Sequence, residues 1–225
     1  MNKTIRHIPE PVLRRLPIYC NYLRRIGDEY GDFISCTTIG LSLDLNPTQI
    51  RKDLAMSGAQ GRPKVGYHIG ELIDCLESFM GWRTSQDVFL VGAGHLGTAL
   101  LGYKSLDNYG IRIISAFDNN PAIIGKEING VEVLSIGKFN SLARRLDIKL
   151  AILTVPEQFA QRVCDLMVSS GIQAIWNFAP VKLAVPDNVI VQNEELFASL
   201  GALSSKLNAL LHPALVKEYD TVDLD

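Results

Sequence analysis

Asp87-Val88-Phe89-Leu90-Val91-Gly92-Ala93-Gly94-His95-Leu96-Gly97 is the stretch whose reading decides the fold. Four consecutive apolar residues, Val88 to Val91, have the composition of a strand buried on both faces, and they run straight into a G-x-G-x-x-G turn. Apolar residues then recur at helical spacing (Ala99, Leu100, Tyr103, Leu106), and a second apolar run, Ile111 to Phe117, ends on Asp118, 21 residues past the last glycine of the motif. That order predicts a dinucleotide-binding βαβ unit. Gly92 permits the tight turn, Gly94 admits a pyrophosphate to backbone N–H groups, and Gly97 lets the helix pack closely on the strand. The helix N-terminus adds its partial positive charge. A glycine turn alone is weak evidence, because it serves wherever a strand meets a helix; here the preceding strand, the following helix and the carboxylate all agree. Asp118 favours NAD over NADP, since a carboxylate accepts from ribose hydroxyls and repels a 2′-phosphate. Gly92, Ala93, Gly94, His95, Leu96, Gly97, Asp118 and Asn119 are therefore candidate cofactor residues.

Downstream, Val131 to Leu134 reads as a short strand, Phe139 to Leu146 as a helix, and Leu150 to Val155 as a doubly buried strand ending at Pro156. A helix over 157–170 and a strand from Ile172 to Trp176 follow, the latter leading into Asn177-Phe178-Ala179-Pro180. Alternating strands and helices imply a mainly parallel sheet with right-handed crossovers. Ligands of such sheets bind at the carboxyl ends of strands, which adds Thr154, Val155, Pro156, Asn177 and Phe178 to the candidates.

Upstream, Val12, Leu13, Leu16, Tyr19, Cys20, Leu23 and Ile26 mark an amphipathic helix over 11–29, with a kink or a late start expected at Pro17. A short helix fits Thr38 to Leu43. Asn46-Pro47 then caps a third helix in which Ile50 and Leu54 face inward, leaving Thr48, Gln49, Arg51 and Lys52 outward. Such side chains near the start of a second helix suit a recognition helix reaching base edges and phosphates. Two cations alone more often belong to a solvated face, but the glycine-rich, basic stretch Gly58 to Tyr67 follows directly and reads as the wing of a winged helix-turn-helix. Arg62 and Lys64 are its candidate DNA contacts. Gly81 to Ser85 is the expected boundary.

Composition excludes more than it selects. Length, 225 residues with 47% hydrophobic and 20% charged, suits one large or two modest domains. Residues 1–83 hold 11 Lys/Arg against 9 Asp/Glu, and 84–225 hold 11 against 15, so a nucleic-acid face on the first part is permitted rather than demanded. Cys20, Cys36, Cys75 and Cys164 lie too far apart for a CxxC pair or a zinc cluster, so neither metal nor disulfides are expected and a reducing cytoplasm is. Neither a signal peptide nor a membrane span is legible. From Asn193 onward Leu196, Leu200, Leu203, Leu207 and Leu210 recur at heptad spacing; the stripe alone favours packing on its own core over dimerisation.

Taken in order, Thr48-Gln49-Ile50-Arg51-Lys52-Asp53-Leu54, Val65-Gly66-Tyr67, the glycine turn, Asp118, Leu153-Thr154-Val155-Pro156 and Asn177-Phe178-Ala179-Pro180 resemble the redox-sensing transcriptional repressor family Rex, over nearly the whole chain. The resemblance implies an α/β homodimer: an N-terminal winged helix-turn-helix over 1–83, a Rossmann-like doubly wound parallel sheet over 84–192, and a C-terminal dimerisation helix and tail over 193–225, exchanged between protomers. It implies a repressor that grips a pseudo-palindromic double-stranded DNA operator when NADH is low relative to NAD, with Tyr67 among the DNA-binding residues, and releases it when NADH binds. It also implies a hydrogen-bond switch between an arginine of the first helix, a tyrosine and a carboxylate. Tyr103 fits the tyrosine and Glu195, or Glu194, the carboxylate, but Asn21 stands at the arginine position, with Arg24 or Arg25 as nearby substitutes. The wing departs as well: Met56 to Gly61 and then Arg62-Pro63-Lys64 replace the family's aromatic-glycine wing leading into Arg-Gly-Val-Gly-Tyr. Expected near the nicotinamide are Tyr103, Thr154, Val155 and Phe178. The rival classes are an NAD-dependent dehydrogenase, for which neither His95, His212 nor Tyr103 makes a convincing proton donor, and a regulatory module that takes coenzyme A on the same turn.

Overall fold

The computed structural model describes residues 8–27, 31–194 and 196–212, and the chain divides into two compact units. One comprises Met1–Ser85 together with Asp107–Gly110, and the other Gln86–Leu106 together with Ile111–Asp225.

In the first unit, α1 (Glu10–Ile26) buries Val12, Leu16, Tyr19, Cys20 and Leu23, the helical-period stripe of the sequence. It starts at Glu10, with Pro11 in its first turn where no N–H partner is needed, so the expected late start does not occur; the helix runs through Pro17. Next come β1 (Phe33–Ile34), α2 (Cys36–Leu43), α3 (Pro47–Ser57), β2 (Tyr67–His68) and α4 (Ile69–Met80). The starts of α2, α3 and α4 are each capped by a polar side chain: Ser35 Oγ accepts from Thr38 N–H at 3.0 Å, Asn46 Oδ1 from Thr48 N–H at 2.8 Å, and His68 Nδ1 from Glu71 N–H at 3.3 Å. Gly58, at φ +88°, ends α3 in the left-handed region. β1 and β2 pair antiparallel. The four residues Asp107–Gly110 join this unit through Tyr109, whose ring packs edge-on against Trp82 at 4.7 Å.

The second unit is a seven-stranded sheet. Its elements are β3 (Gln86–Val91), α5 (His95–Leu101), β4 (Ile111–Asp118), β5 (Glu127–Ile128), β6 (Val131–Ser135), α6 (Phe139–Arg145), β7 (Leu150–Leu153), α7 (Glu157–Ser169), β8 (Ala174–Asn177), β9 (Ile190–Asn193) and α8 (Leu196–Leu211). Strand order is β5-β6-β4-β3-β7-β8-β9, all parallel but for the antiparallel β5–β6 pair. Period-2 alternation in β3 sends Phe89 and Val91 to one core, with Phe117, Phe139 and Met167, and Val88 and Leu90 to the other, with Ala116, Leu101 and Ile152. Helices α6 and α7 thus cover one face and α5 the other, the doubly wound layout. Chain order reverses between β3 and β7, which opens a crevice at their carboxyl ends.

The expectation that the leucine stripe of α8 packs on its own core is overturned. Leu200, Leu203, Leu207 and Leu210 are 52–76% exposed.

Candidate functional site

The crevice is built from backbone. Gly92, at φ +101°, donates its N–H to Phe117 O at 2.8 Å, and a side-chain carbon there would meet the Thr154 carbonyl at 2.8 Å. A carbon on Gly97 would overlap the Gly92 carbonyl oxygen, so both glycines are sterically required. Gly94 is different: nothing lies within 4 Å of its would-be Cβ, and the space beside it is open for a ligand. It precedes α5 without a side-chain cap, and His95 and Leu96, the first helical residues, are exposed.

Asp118 Oδ2 accepts from Ala93 N–H and Oδ1 from Asn120 N–H, both at 2.8 Å. Backbone donors therefore pin the carboxylate at the glycine turn, and each oxygen keeps a lone pair for a ribose hydroxyl. Asn119 beside it is exposed. Across the crevice, Thr154 donates its N–H to Val91 O at 2.9 Å and its hydroxyl to Gly92 O at 2.7 Å, tying the β7 end to the turn; Val155 and Pro156 follow, Pro156 preceding α7.

Phe178 donates its N–H to Leu153 O, and its ring packs on Trp176 at 4.6 Å. Asn177 is fully buried, and its side chain is spent inside the fold: Nδ2 donates to Ala179 O, Val181 O and Asn193 Oδ1, while Oδ1 accepts from Ala179 N–H. It braces the loop that carries Phe178. Tyr103, in the turn after α5, is 59% exposed.

In the first unit, Thr48, Gln49, Arg51 and Lys52 lie exposed on α3. The wing is a tight turn in which Arg62 and Gly66 exchange backbone hydrogen bonds at 2.7 and 3.0 Å, with Lys64 at φ +62° near its tip. The Arg62 guanidinium stacks over Phe33, 4.9 Å from the ring centre. Between the start of α2, Arg51 and the wing lies a cleft of about 410 Å³; Arg51, Arg62 and Lys64 line it, with Cys36 and Tyr67, and no carboxylate does. Burial pushes the Cys36 thiol up against the opposing pull of Arg51, and burial also raises Tyr67, so both are neutral at physiological pH and leave the three cations uncompensated. Such a cleft suits phosphate oxygens.

Sequence reasoning missed the buried carboxylate on the inner face of α3. Asp53 is fully buried and accepts from Arg15 Nε (2.7 Å) and Nη2 (3.0 Å), Tyr19 OH (2.8 Å) and Gln49 Nε2 (2.8 Å). Also missed were the partners of the switch positions. Asn21 Nδ2 donates to Tyr109 OH at 3.0 Å, and Arg24 is committed to Glu77 and the Asn108 carbonyl, so Arg24 is not free to replace the missing arginine. Arg25 stacks on Tyr22 at 5.9 Å. Glu194 accepts from Trp176 Nε1 at 2.7 Å, and Glu195 lies outside the described residues. Among the described residues no group of metal-ligating side chains occurs and no helix is long and apolar enough to cross a membrane.

Comparison with known proteins covers both units. Two family models match, "Putative DNA-binding protein N-terminus" over residues 7–55 and "CoA binding domain" over residues 83–181. The redox-sensing transcriptional repressor Rex of Bacteroides fragilis is 37% identical over 213 residues, spanning 92% of this chain and 97% of its own. That of Treponema denticola is 40% identical over 198 residues, spanning 88% and 94%. Among solved structures, RSP in complex with β-NAD+ and operator DNA has a TM-score of 0.88 at 33% identity, covering 96% of this chain and 99% of that one. RSP in complex with β-NADH has a TM-score of 0.83 at 34% identity, covering 95% and 99%.

Proposed function

The chain belongs to the Rex family of redox-sensing transcriptional repressors, and from that premise we propose that its first unit grips an operator while its second reads the NADH/NAD ratio. It is a DNA-binding regulator rather than an enzyme, in keeping with the repressor names of its relatives. The observation that carries the reading is the joint presence of a glycine turn with a backbone-pinned Asp118 and, in the same chain, a recognition helix beside a cleft lined by three cations.

Gly92, Ala93, Gly94, His95, Leu96 and Gly97 present backbone to the pyrophosphate, and Asp118 with Asn119 takes the adenosine ribose. Thr154, Val155, Pro156 and Phe178 wall the nicotinamide end, Asn177 braces that wall, and Tyr103 completes it. The nicotinamide supplies the signal as charge: its ring is neutral when reduced and positive when oxidised. An apolar wall of Val155 and Phe178 favours the neutral form, because burying an unpaired charge costs free energy. Arg51, Lys52, Arg62 and Lys64 contact phosphates, Thr48 and Gln49 reach base edges, and Tyr67 supports the wing.

Repression requires two copies. The exposed Leu200, Leu203, Leu207 and Leu210 support a homodimer joined through α8, exchanged between protomers, that sets two recognition helices on a pseudo-palindrome with half-sites about 34–36 Å apart. NADH then favours a spacing that DNA does not accept; a full reversal of the two arrangements needs about 5.5 kcal/mol of differential binding. The protein acts in the cytoplasm, where operator and dinucleotide pool meet. The switch positions Asn21, Tyr103 and Glu195 couple the two events without the family's arginine.

The test is fluorescence anisotropy on a labelled palindromic operator titrated with NADH, NAD or coenzyme A. Release by NADH and not by NAD is expected; DNA affinity indifferent to NADH overturns the proposal, and release by coenzyme A alone transfers the site to that ligand, as the name of the 83–181 match suggests. Gly94→Ala gives the control. Its Cβ meets no protein atom, so the free protein keeps its thermal midpoint while stabilisation by NADH falls at least tenfold in apparent affinity.

A further inference from the structure

Asp53 does more than fill a core. It is a carboxylate with no exposure at all, four residues after Gln49 on α3, and Gln49 Nε2 donates to its Oδ1 at 2.8 Å. Burial alone would push the Asp53 carboxyl up, but hydrogen bonds from Arg15, Tyr19 and Gln49 outweigh it and hold the group below the ordinary carboxylate range, so it is ionised at neutral pH. An ionised carboxylate accepts and never donates. The orientation of the Gln49 amide is therefore decided by chemistry: its NH₂ faces inward, and a flip would set Oε1 against Oδ1. Arg15 and Tyr19, both on α1, hold Asp53 itself in place, so the Gln49 amide is referred to the frame of the domain rather than to its own flexible stem.

With one N–H committed, Gln49 is left with Oε1 and a second N–H, neither of which has a protein partner among the described residues. An acceptor beside a donor on one planar amide complements adenine, whose major-groove edge offers the N6 amino group beside N7. We propose that Asp53 is a positioning residue for base readout, locking Gln49 as an adenine reader at one position of each half-site. The inference rests on the DNA-binding reading of α3 and adds to it the base and the residue that orients its reader.

Selection from a random-sequence duplex library by the full chain tests it. The wild type is expected to select sites with an adenine fixed at one symmetric position. Gln49→Ala, an exposed change, leaves that position degenerate and the others intact, and replacing that adenine by 7-deazaadenine lowers wild-type affinity roughly tenfold while leaving Gln49→Ala unaffected. Asp53→Asn, which retains Gln49, loses the same single preference; a merely structural role would weaken all sites alike and keep the preference. Should Asp53→Asn fail to fold, the wild-type Gln49 side-chain amide, identified by its absence in Gln49→Ala, decides the matter in an NMR exchange experiment: slow exchange supports the lock, and free, rapid exchange overturns it. A selected site with no Gln49-dependent adenine overturns the inference alone, whereas failure to select any site overturns the DNA-binding reading with it.

Discussion

Asp53 shows how one residue ties sequence to stability. It is the single fully buried carboxylate among the described residues, and its four donors come from Arg15, Tyr19 and Gln49. Removing one partner of a buried pair costs about 3–5 kcal/mol; because Arg15 keeps 23% of its side chain in water, Asp53→Asn is expected to cost about 2–3 kcal/mol in urea unfolding. Its native carboxyl sits below the ordinary value of 3.8, so the unfolded chain takes up the proton first as pH falls. The stability it contributes is complete above that value and is lost as pH drops through the lowered native one. The gap between wild type and Asp53→Asn should accordingly hold constant above pH 5 and narrow below about pH 4; a gap unchanged down to pH 3 would refute the depressed carboxyl. None of this was legible in Arg51-Lys52-Asp53-Leu54, because the partners Arg15 and Tyr19 lie 38 and 34 residues away.

At the scale of elements, local chemistry spoke plainly. Asn46-Pro47 announces the start of α3 because an N-cap and its N1 proline act within one turn, and Gly92 and Gly97 announce the βα turn because only a missing Cβ fits there. Pro17 does not delay the start of α1: a proline in a helix is costly in isolation, yet the helix runs through it because Leu16, Tyr19, Cys20 and Leu23 bury it on both sides. The edge strands β5 and β9, of two and four residues, carry little pattern of their own and exist through their pairing with β6 and β8. The wing makes its own prediction. If Arg62 and Lys64 each neutralise a phosphate, Arg62→Ala and Lys64→Ala each reduce the slope of log affinity against log salt by about one unit per DNA-bound chain, without altering base preference. A slope unchanged in both variants would remove the wing from the interface.

For the whole molecule, α8 is the deciding element. The heptad stripe of leucines by itself favours packing on its own core over dimerisation; in the fold Leu200, Leu203, Leu207 and Leu210 stand exposed instead, an unpartnered apolar face of the kind that marks an interaction site. Leu203→Glu with Leu207→Glu should give a monomer by analytical ultracentrifugation. Its affinity for a palindromic operator should fall at least a hundredfold, while binding to a single half-site changes little. A double variant that stays dimeric would place the interface elsewhere.

The sequence by itself determined that a winged helix precedes a dinucleotide-binding sheet, and where the glycine turn, Asp118 and helix α3 lie. Those signals span one turn of helix, one strand or one βα junction, and neighbouring residues suffice to express them. Only the tertiary structure decided that Asp53 is buried and fully bonded, that Asn177 is a brace rather than a free contact, and that Leu200, Leu203, Leu207 and Leu210 of α8 face outward. Burial and hydrogen-bond satisfaction are properties of what surrounds a residue, and here the surroundings come from chain segments tens of residues apart.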